Sequence, residues 1–369
     1  MMRRIAIVGS GPAGFFLADA LSKSGSVGVD LFERLTCPYG LVRYGVAPDH
    51  PATKEVMRIF DRVATRDNVR FYGGVNIGAD ITVADLCDVY EIVVIATGAD
   101  SGRLAQFPGA EVRPDNVTAF DLMRAVNGHP NAAGLRLPND VRSVAIIGAG
   151  NVAIDVARVL CREPERLRKW NTATGFLNWL EQQKIRWVDI LCRCAPEGAR
   201  FAPAMYDELV RVSSERNGTL VRFRYNTVPS AYDRRTLSIR TAHGIDSFIP
   251  ADLVIHAIGQ RAGAIPGLPV DAVSGAVQHR EGWVVGDDSV FVQGWAAGAL
   301  GTAIPDCRVA AKRVAPEILA RLDRGTGILC GFDTAAILNR IGRVPINWED
   351  WSRADAVGQR ADRNLGTVR

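Results

Sequence analysis

Three glycines near the start of the chain have the spacing that a nucleotide phosphate requires. Gly9, Gly11 and Gly14 form a Gly-x-Gly-x-x-Gly sequence directly after the apolar run 5–8. The first glycine permits a sharp exit from a strand, the second lets the backbone approach a pyrophosphate, and the third allows close helix-to-strand packing. The helix that follows offers free N–H groups and the positive end of its dipole. The pattern therefore predicts a strand, a turn and a helix that bind a dinucleotide.

A carboxylate follows at the distance expected for ribose recognition. Glu33 ends the apolar strand 29–32 and lies nineteen residues beyond Gly14. A carboxylate in this place accepts hydrogen bonds from the 2′-hydroxyl of an adenosine ribose. The alternative interpretation is a solvated charge at the end of a strand.

A second glycine motif has a different partner. Gly148 and Gly150 follow the apolar run 143–147, with Ala153 in the place of a third glycine. The next apolar strand, 187–192, ends in Arg193 rather than in a carboxylate. A guanidinium suits a ribose 2′-phosphate better than a free hydroxyl, so the motif favours NADP(H), with NAD(H) as the alternative. The competing interpretation is that Arg193 is one of many surface arginines.

The elements that position these motifs repeat at the level of domains. Each motif is a short buried strand, a glycine turn and an amphipathic helix, as in parallel sheets covered on both faces. The apolar runs 91–99 and 251–259 predict the strand that closes each fold. We therefore expect an α/β protein with two Rossmann-like dinucleotide-binding domains.

The order of segments predicts that one domain is inserted in the other. The stretch 102–142 is loop-rich and resembles a linker, and a second crossover is expected near 260–285. Residues 288–304 then predict one more strand and glycine-rich turn, leading into a helix from about 305 to 324. The predicted domains are 1–105 with 286–369 for the first nucleotide and 106–285 for the second.

Composition limits the classes of protein that remain. The chain has 369 residues, 47% hydrophobic and 23% charged, which fits two globular domains and excludes disorder. Its seven cysteines contain no Cys-x-x-Cys pair, so neither a disulfide framework nor a metal site has the required spacing. No signal peptide or membrane span is recognised, and the expected compartment is a reducing cytoplasm.

Two dinucleotide-binding folds in one chain indicate hydride transfer between two bound nucleotides. One holds a flavin, and the other brings a nicotinamide against it, so that a hydride crosses a short distance away from water. Such a reaction needs few titrating side chains. This explains why no catalytic triad or carboxylate pair stands out.

The stretch 38–51, Pro-Tyr-Gly-Leu-Val-Arg-Tyr-Gly-Val-Ala-Pro-Asp-His-Pro, is more specific than any glycine loop. It resembles the adrenodoxin reductase type of ferredoxin–NADP(+) reductase, an FAD-containing branch of the glutathione-reductase-like flavoproteins. Further matches follow in the same order at 96–99, 127–130, 148–158, 257–271 and 293–295. The resemblance covers essentially the entire chain and implies the glutathione-reductase-like architecture, with FAD in the first domain and NADP in the second.

The resemblance also implies roles for individual residues. His50 and Glu208 match polar positions beside the nicotinamide and the flavin ring, where they would orient the carboxamide and tune the flavin. The positions that would hold FAD are Gly9, Gly11, Pro12, Ala13, Gly14, Glu33, Gly40, Leu41, Val46, Val75, Trp295, Gly301, Thr302 and Ala303. Those that would hold NADP(H) are Gly148, Gly150, Asn151, Val152 and Arg193.

Departures from the family pattern cluster on the nicotinamide side. The family has two adjacent arginines followed by Gly-Pro, whereas this chain has Arg193 followed by Cys194. Met205 stands where the family has a glutamate that contacts the nucleotide. Arg200, seven residues beyond Arg193, is a candidate for the missing charge.

The function implied by the resemblance is electron transfer from NADPH through FAD to an acidic ferredoxin-type iron–sulfur protein that serves a cytochrome P450 or a similar oxygenase. A net charge of +4 fits steering of such a partner, and no nucleic-acid partner or membrane insertion is expected. One alternative is an FAD-dependent oxidoreductase acting directly on a small molecule in secondary metabolism, and another is a non-catalytic FAD-binding redox module. The basic clusters that could steer a ferredoxin are Arg162, Arg166, Arg168, Lys169, Arg222 and Arg224.

Overall fold

The fold was obtained as a computed structural model that describes residues 2–213, 215, 218–298, 303–324 and 334–365. The chain forms two compact units. The first unit comprises residues 1–43, 52–100 and 261–369, and the second comprises 44–51 and 101–260. Residues 261–285, which the sequence assigned to the nicotinamide domain, lie in the first unit. The physical reason is that Ile265, Val277 and Val284 are buried in the hydrophobic core of that unit.

The strands, in chain order, are β1 (Arg3–Val8), β2 (Val27–Glu33), β3 (Val69–Gly73), β4 (Val93–Ile95), β5 (Ala99–Gly102), β6 (Asn116–Thr118), β7 (Ser143–Ile147), β8 (Trp187–Leu191), β9 (Leu220–Arg224), β10 (Thr227–Asp233), β11 (Thr236–Thr241), β12 (Asp246–Pro250), β13 (Leu253–His256), β14 (Gln260–Ala262), β15 (His279–Arg280), β16 (Trp283–Val284) and β17 (Val290–Val292).

The helices are α1 (Pro12–Ser22), α2 (Leu41–Tyr44), α3 (Pro51–Lys54), α4 (Met57–Ala64), α5 (Val83–Cys87), α6 (Ala119–Val126), α7 (Asn151–Cys161), α8 (Pro164–Arg168), α9 (Thr174–Gln182), α10 (Pro203–Ser213), α11 (Ile304–Arg324), α12 (Thr334–Asn339) and α13 (Trp348–Leu365). Short 3₁₀ helices cover Pro130–Ala132, Pro196–Gly198 and Gly294–Ala297. The helix predicted from about 305 to 324 is confirmed as α11.

The first unit is built on a seven-stranded sheet in the order β15-β16-β17-β4-β1-β2-β3. Strand β1 lies between β2 and β4 and is parallel to both. Its residues Ile5 and Ile7 are fully buried, as expected of a central parallel strand covered on both faces. Helices α1 and α11 contact each other.

The second unit contains a five-stranded parallel sheet in the order β6-β13-β7-β8-β9 and a three-stranded antiparallel sheet β10-β11-β12. If β7, β8, β9 and β13 are counted as strands 1 to 4 in chain order, their order across the sheet is 3-2-1-4. This is the strand order of a dinucleotide-binding fold. Its core lies against α7, where Ile154, Val156 and Leu160 are fully buried. The carboxyl ends of these parallel strands meet at one edge, where ligands of such sheets bind.

The first glycine of each motif occupies the same place in its unit. Gly9 has a φ of +106° and Gly148 a φ of +120°, which favour glycine. A Cβ on Gly9 would lie 2.5 Å from the carbonyl oxygen of Ala96, and one on Gly148 would lie 2.4 Å from that of Ala257. Ala96 follows β4 and Ala257 follows β13, so both turns are crowded by the neighbouring strand. Both conformation and space therefore require glycine.

Candidate active site and nucleotide-binding turns

The first glycine turn is crowded by a distant segment of the chain. Helix α1 begins at Pro12 with Gly11 as its N-cap, and a Cβ on Gly14 would lie 2.0 Å from the carbonyl oxygen of Gly9. A Cβ on Gly40 would lie 3.1 Å from Cα of Gly11. The N–H of Tyr39 donates to the carbonyl oxygen of Ser10 at 3.0 Å. The specific stretch 38–51 thus starts beside the turn, and the glycines keep the space over it free of side chains.

Glu33 lies at the carboxyl end of β2, next to the same turn. Its Oε2 accepts hydrogen bonds from the N–H of Ser10 at 3.1 Å and from its Oγ at 2.7 Å, while Oε1 accepts from the N–H of Leu35 at 3.0 Å. The side chain is 9% exposed. A carboxylate has about four acceptor sites, so one remains for a ribose hydroxyl. This remaining acceptor site fits a hydroxyl of an adenosine ribose.

Several other positions that the resemblance assigns to FAD lie near the first glycine turn or follow the strands of the first unit. Gln293 Nε2 donates to the carbonyl oxygen of Ala13 at 2.8 Å, which holds the 3₁₀ turn containing half-buried Trp295 against the first glycine turn. Val75 is buried beyond β3, and its N–H donates to the carbonyl oxygen of Glu33 at 2.8 Å. The N–H of Ala303 donates to Asp306 Oδ2 at 2.8 Å.

Three of the positions that the resemblance assigns to FAD are not described within the first unit. Gly301 and Thr302 lie outside the described residues. Val46 belongs to the short segment 44–51 of the second unit, whereas Gly40 and Leu41 belong to the first.

The second glycine turn is covered in part by the loop that follows β8. Helix α7 begins at Asn151 with Gly150 as its N-cap. The N–H of Arg200 donates to the carbonyl oxygen of Ala149 at 3.0 Å, and Gly150 and Arg200 form a parallel β-bridge. Val152, in the first turn of α7, is exposed.

Arg193 and Cys194 differ in their surroundings. Arg193 is exposed directly beyond β8, at the edge of the sheet where nucleotides bind. Cys194 is half-buried and lies against Gly198, where an added Cβ would be 2.9 Å from Cys194 Cβ and 3.3 Å from its Sγ. The 3₁₀ turn Pro196–Gly198 therefore occupies the space beside Cys194.

His50 lies in a cluster of charges in the second unit. Its Nε2 is 3.0 Å from Oδ1 of Asp155 and 2.6 Å from Nη2 of Arg158. An arginine nitrogen can only donate. A carboxylate oxygen can only accept, so Nε2 either accepts from Arg158 or, in the other tautomer, donates to Asp155.

Arg158 is the centre of this cluster. It is fully buried, and its Nε and Nη2 donate to Asp49 at 2.5 and 2.9 Å. Burial acts to lower the pKa of Arg158, but the hydrogen bond to Asp49 and the charges of nearby carboxylates raise it above the usual value. Burial acts to raise the pKa of Asp49, and the two arginines Arg158 and Arg162 outweigh it and lower that pKa. The directions of these two pKa shifts keep Asp49 and Arg158 charged.

Glu208 is attached to the same cluster from α10. Arg162 Nη2 donates to its Oε1 at 2.8 Å, and Arg162 Nε donates to Asp49 Oδ2 at 2.7 Å. Arg158 Nη1 lies 3.7 Å from Oε2 of Glu208 and is a buried nitrogen with no hydrogen-bond partner among the described residues. His50 and Glu208, distant in sequence, are thus joined through one pair of arginines.

Sequence reasoning gave no role to Asp49, Asp155 or Arg158, and it assigned Arg162 to a basic cluster for steering a ferredoxin. A signal was present on α7, since positions 155, 158 and 162 lie on one face of a helix. Arg158 on a largely apolar helix, with Arg162 at its C-cap, indicates buried ion pairs only when the carboxylate partners are known. Those partners come from segments around 49 and 208 that the sequence alone does not bring together.

None of the described helices combines the length and apolar character needed to cross a membrane.

Comparisons with known proteins place the chain among flavin and nucleotide enzymes. The family model of the pyridine nucleotide-disulphide oxidoreductases matches residues 3–304. The chain is 30% identical to bovine NADPH:adrenodoxin oxidoreductase over 96% of its own length and 86% of that protein. It is 29% identical to NADPH-ferredoxin reductase FprA of Mycobacterium tuberculosis over 81% of this chain and 80% of that one.

Solved structures agree. The structure of Mycobacterium tuberculosis FprA in complex with NADPH matches with a TM-score of 0.90 and 26% identity, over 99% of this chain and 96% of that chain. A thioredoxin reductase of Lactococcus lactis, at 16% identity and a TM-score of 0.56, shares the fold. The predicted α/β architecture with two Rossmann-like units is confirmed. The chain belongs to the pyridine nucleotide-disulphide oxidoreductase family, in its adrenodoxin reductase-type branch of ferredoxin reductases.

Proposed function

We propose that this chain is an FAD-dependent oxidoreductase that carries electrons from NADPH to a ferredoxin-type iron–sulfur protein. When bound, FAD supplies a hydride acceptor that can release its electrons singly. The observation that carries the proposal is that His50 and Glu208 are joined through Arg158, on the helix that begins at the second glycine turn, and Arg162, the C-cap of that helix, in a chain of this family.

The first unit has the groups that FAD requires. The N–H groups at the start of α1 are available to a pyrophosphate, because the turn carries no side chain at Gly9, Gly11 or Gly14. Glu33 would bind the adenosine ribose through its remaining acceptor site. Pro12 and Ala13 would contact the pyrophosphate, and Trp295 would pack at the isoalloxazine end.

The second unit has the corresponding groups for NADP(H). Gly150, Asn151 and Val152 form the start of α7, where the dipole and free N–H groups favour a phosphate. Arg193 would bind the 2′-phosphate of NADP(H), because its exposed guanidinium follows the strand at which a ribose is recognised.

His50 and Glu208 would act on the nicotinamide end by position and charge. In the tautomer in which Nε2 accepts from Arg158, the Nδ1–H of His50 would be a donor that suits the oxygen of a carboxamide. The carboxylate of Glu208, held by Arg162, would stabilise positive charge that develops on a nicotinamide as it loses a hydride. Neither residue needs to transfer a proton in this account.

The acidic partner is supported by the net charge of +4 rather than by the clusters singled out from the sequence. Arg222 and Arg224 both pair with Asp189, at 2.6 and 2.7 Å. Arg166 pairs with Glu215 at 2.7 Å, and Arg168 pairs with Glu181 at 2.5 Å. Arg162 is buried. Nearby carboxylates largely neutralise these arginines. Steering of an acidic ferredoxin must therefore depend on other cationic side chains.

The finer parts of the proposal are the oxygenase and the compartment. A ferredoxin reduced by this chain would serve a cytochrome P450 or a similar oxygenase. The absence of a Cys-x-x-Cys pair supports the cytoplasm, although the bovine relative is described as mitochondrial. Cell fractionation with an antibody to the chain tests the compartment.

The test is anaerobic mixing of the purified yellow protein with NADPH and, separately, with NADH. Bleaching of the flavin band by NADPH, faster than by NADH, is the expected result. Bleaching without electron transfer to any ferredoxin would favour direct action on a small molecule. Failure of both nucleotides to bleach the flavin would contradict an NAD(P)H-dependent enzyme and favour a non-catalytic redox module.

A further inference from the structure

We propose that Arg200 binds a phosphate group of the bound nicotinamide nucleotide and is a further nucleotide-binding residue of this chain. The inference rests on the proposed use of NADPH and adds a residue outside the glycine motif and its strand-end arginine. It follows from how the loop 193–202 returns to the second glycine turn.

The backbone of Arg200 is fixed directly alongside that turn. Its N–H donates to the carbonyl oxygen of Ala149 at 3.0 Å, and it forms a parallel β-bridge with Gly150, the N-cap of α7. A pyrophosphate in a dinucleotide-binding fold lies over this turn, at the N-terminus of the following helix. Arg200 is therefore held next to the place that a nucleotide phosphate occupies.

A second clamp keeps the loop in place. The N–H of Ala202 donates to Oδ1 of Asn151 at 3.0 Å. Two successive contacts, at Arg200 and Ala202, thus attach the loop to residues on both sides of Gly150. Because Oδ1 of Asn151 is used in this way, its side chain serves the loop and leaves its backbone N–H for the nucleotide.

The side chain of Arg200 is available for a ligand. It is exposed, and none of the described residues forms a hydrogen bond or an ion pair with its guanidinium. Several other arginines of the second unit have carboxylate partners, as Arg222 and Arg224 have in Asp189. An arginine whose backbone lies beside a helix N-terminus can bring positive charge to a place where backbone N–H groups already favour an anion.

Position 194 does not provide that charge. Cys194 lies against Gly198, and the turn Pro196–Gly198 fills the adjacent space. This packing of a small side chain against a glycine accompanies the return of the loop to Gly150. The chain therefore places its cations at 193, beyond β8, and at 200, beside the glycine turn, instead of at adjacent positions.

The test measures the Kd of the purified, FAD-containing protein for NADP⁺, NAD⁺ and 2′,5′-ADP, using Arg200→Ala and Arg200→Lys. We expect Arg200→Ala to raise the Kd for NADP⁺ by roughly tenfold or more, as loss of a hydrogen bond to a charged group predicts. Arg200→Lys keeps the charge without the planar fork, and its increase should be smaller. The backbone bridge does not depend on the side chain, so the FAD content and the circular dichroism should stay unchanged.

The matched control is Arg142→Ala. Arg142 is exposed and directly precedes β7, at the edge of the same sheet opposite the glycine turn, so its loss should leave every Kd unchanged. The ligands then distinguish the phosphate groups. Weaker binding of NADP⁺ and 2′,5′-ADP but not of NAD⁺ would assign Arg200 to the 2′-phosphate, whereas equal weakening of NADP⁺ and NAD⁺ would assign it to the pyrophosphate.

The inference and the proposed function fail in different ways. Unchanged affinity of Arg200→Ala for NADP⁺ and NAD⁺, with normal binding by the unsubstituted protein, would overturn the inference alone. Absence of NADP⁺ and NAD⁺ binding by the unsubstituted protein would overturn both.

Discussion

Asp49 and Arg158, distant in sequence, form a two-point ion pair in which both side chains are fully buried. Nε of Arg158 donates to Oδ2 at 2.5 Å and Nη2 donates to Oδ1 at 2.9 Å. Asp49 also accepts from Arg162, so one carboxylate holds the two guanidiniums that contact His50 and Glu208. The segment 44–51 is thereby fastened to α7 by charge as well as by packing.

Replacement of Asp49 by Asn should destabilise the protein strongly. Two buried guanidiniums would lose their common carboxylate, and breaking a buried ion pair in this way costs about 3–5 kcal/mol. Urea unfolding followed by circular dichroism measures the change. Asp246→Asn is the control, because Asp246 pairs with Arg240 at 2.7 Å on an exposed hairpin and its loss should not shift the midpoint. Equal midpoints for the two variants would contradict a structural role for the buried pair.

Replacement of Glu208 by Gln should slow hydride transfer without loosening FAD. The amide of the variant would keep an acceptor for Arg162 but remove the negative charge, and we expect the rate of flavin reduction by NADPH to fall about tenfold. Anaerobic stopped-flow absorbance measures that rate at saturating NADPH.

Glu181→Gln provides the comparison for this variant. Glu181 forms an exposed ion pair with Arg168 at the surface of α9, and its loss should leave the rate unchanged. A rate for Glu208→Gln equal to that of the unsubstituted protein would remove Glu208 from the proposed site.

Replacement of Glu33 by Ala should weaken the retention of FAD. The variant loses the acceptor for Ser10 as well as the proposed contact with the ribose, and we expect the Kd for FAD to rise by about tenfold or more. Fluorescence of released flavin gives the Kd. Ser10→Ala separates the two contributions, since it removes only the Oγ contact; a loss as large as that of Glu33→Ala would mean that the carboxylate acts only on the turn.

Because His256 is buried, we expect the free energy of unfolding to decrease as the pH falls from about 6.5 towards 4. The ring is buried, with Nδ1 accepting from the N–H of Ala105 and Nε2 donating to Asn116, and burial lowers its pKa to about 4. An unfolded histidine titrates near 6.5. In this window the unfolded chain takes up a proton that the folded chain does not, so stability is full above the window and declines through it by about 2 kcal/mol at pH 5.

His256→Gln should flatten this pH dependence, because glutamine can accept and donate without titrating. The measurement compares urea midpoints at pH 7.5 and pH 5 for the variant and the unsubstituted protein. His243→Gln, at an exposed position, is the control and should keep the original slope. A slope for His256→Gln identical to that of the unsubstituted protein would show that another group is responsible.

The glycine turns were predictable because their chemistry is local. Gly9 and Gly148 follow a buried strand, and their spacing to the next helix is a property of consecutive residues. The domain boundary near 285 could not be predicted in this way. Residues 261–285 form short strands, and the unit to which they belong is decided only by packing of their side chains in its core.

The buried cluster escaped prediction for a related reason. Arg158 and Arg162 resemble surface arginines until Asp49 and Glu208 are brought to them, and the pairing of charges from three segments is a tertiary property. The basic clusters around 166 and 222 failed in the opposite direction, since nearby carboxylates neutralise them. Charge counted along the sequence is therefore a poor guide to charge at the surface.

Electron transfer from NADPH to a ferredoxin is tested most directly by following reduction of the flavin and of the ferredoxin in one experiment. The FAD-loaded protein is mixed anaerobically with NADPH and an oxidised acidic [2Fe–2S] ferredoxin, and absorbance follows the flavin and the iron–sulfur cluster together. We predict rapid bleaching of the flavin by NADPH, followed by reduction of the ferredoxin at a rate that falls as salt screens the charges. Bleaching of the flavin with no reduction of ferredoxin at low or high salt would contradict the account.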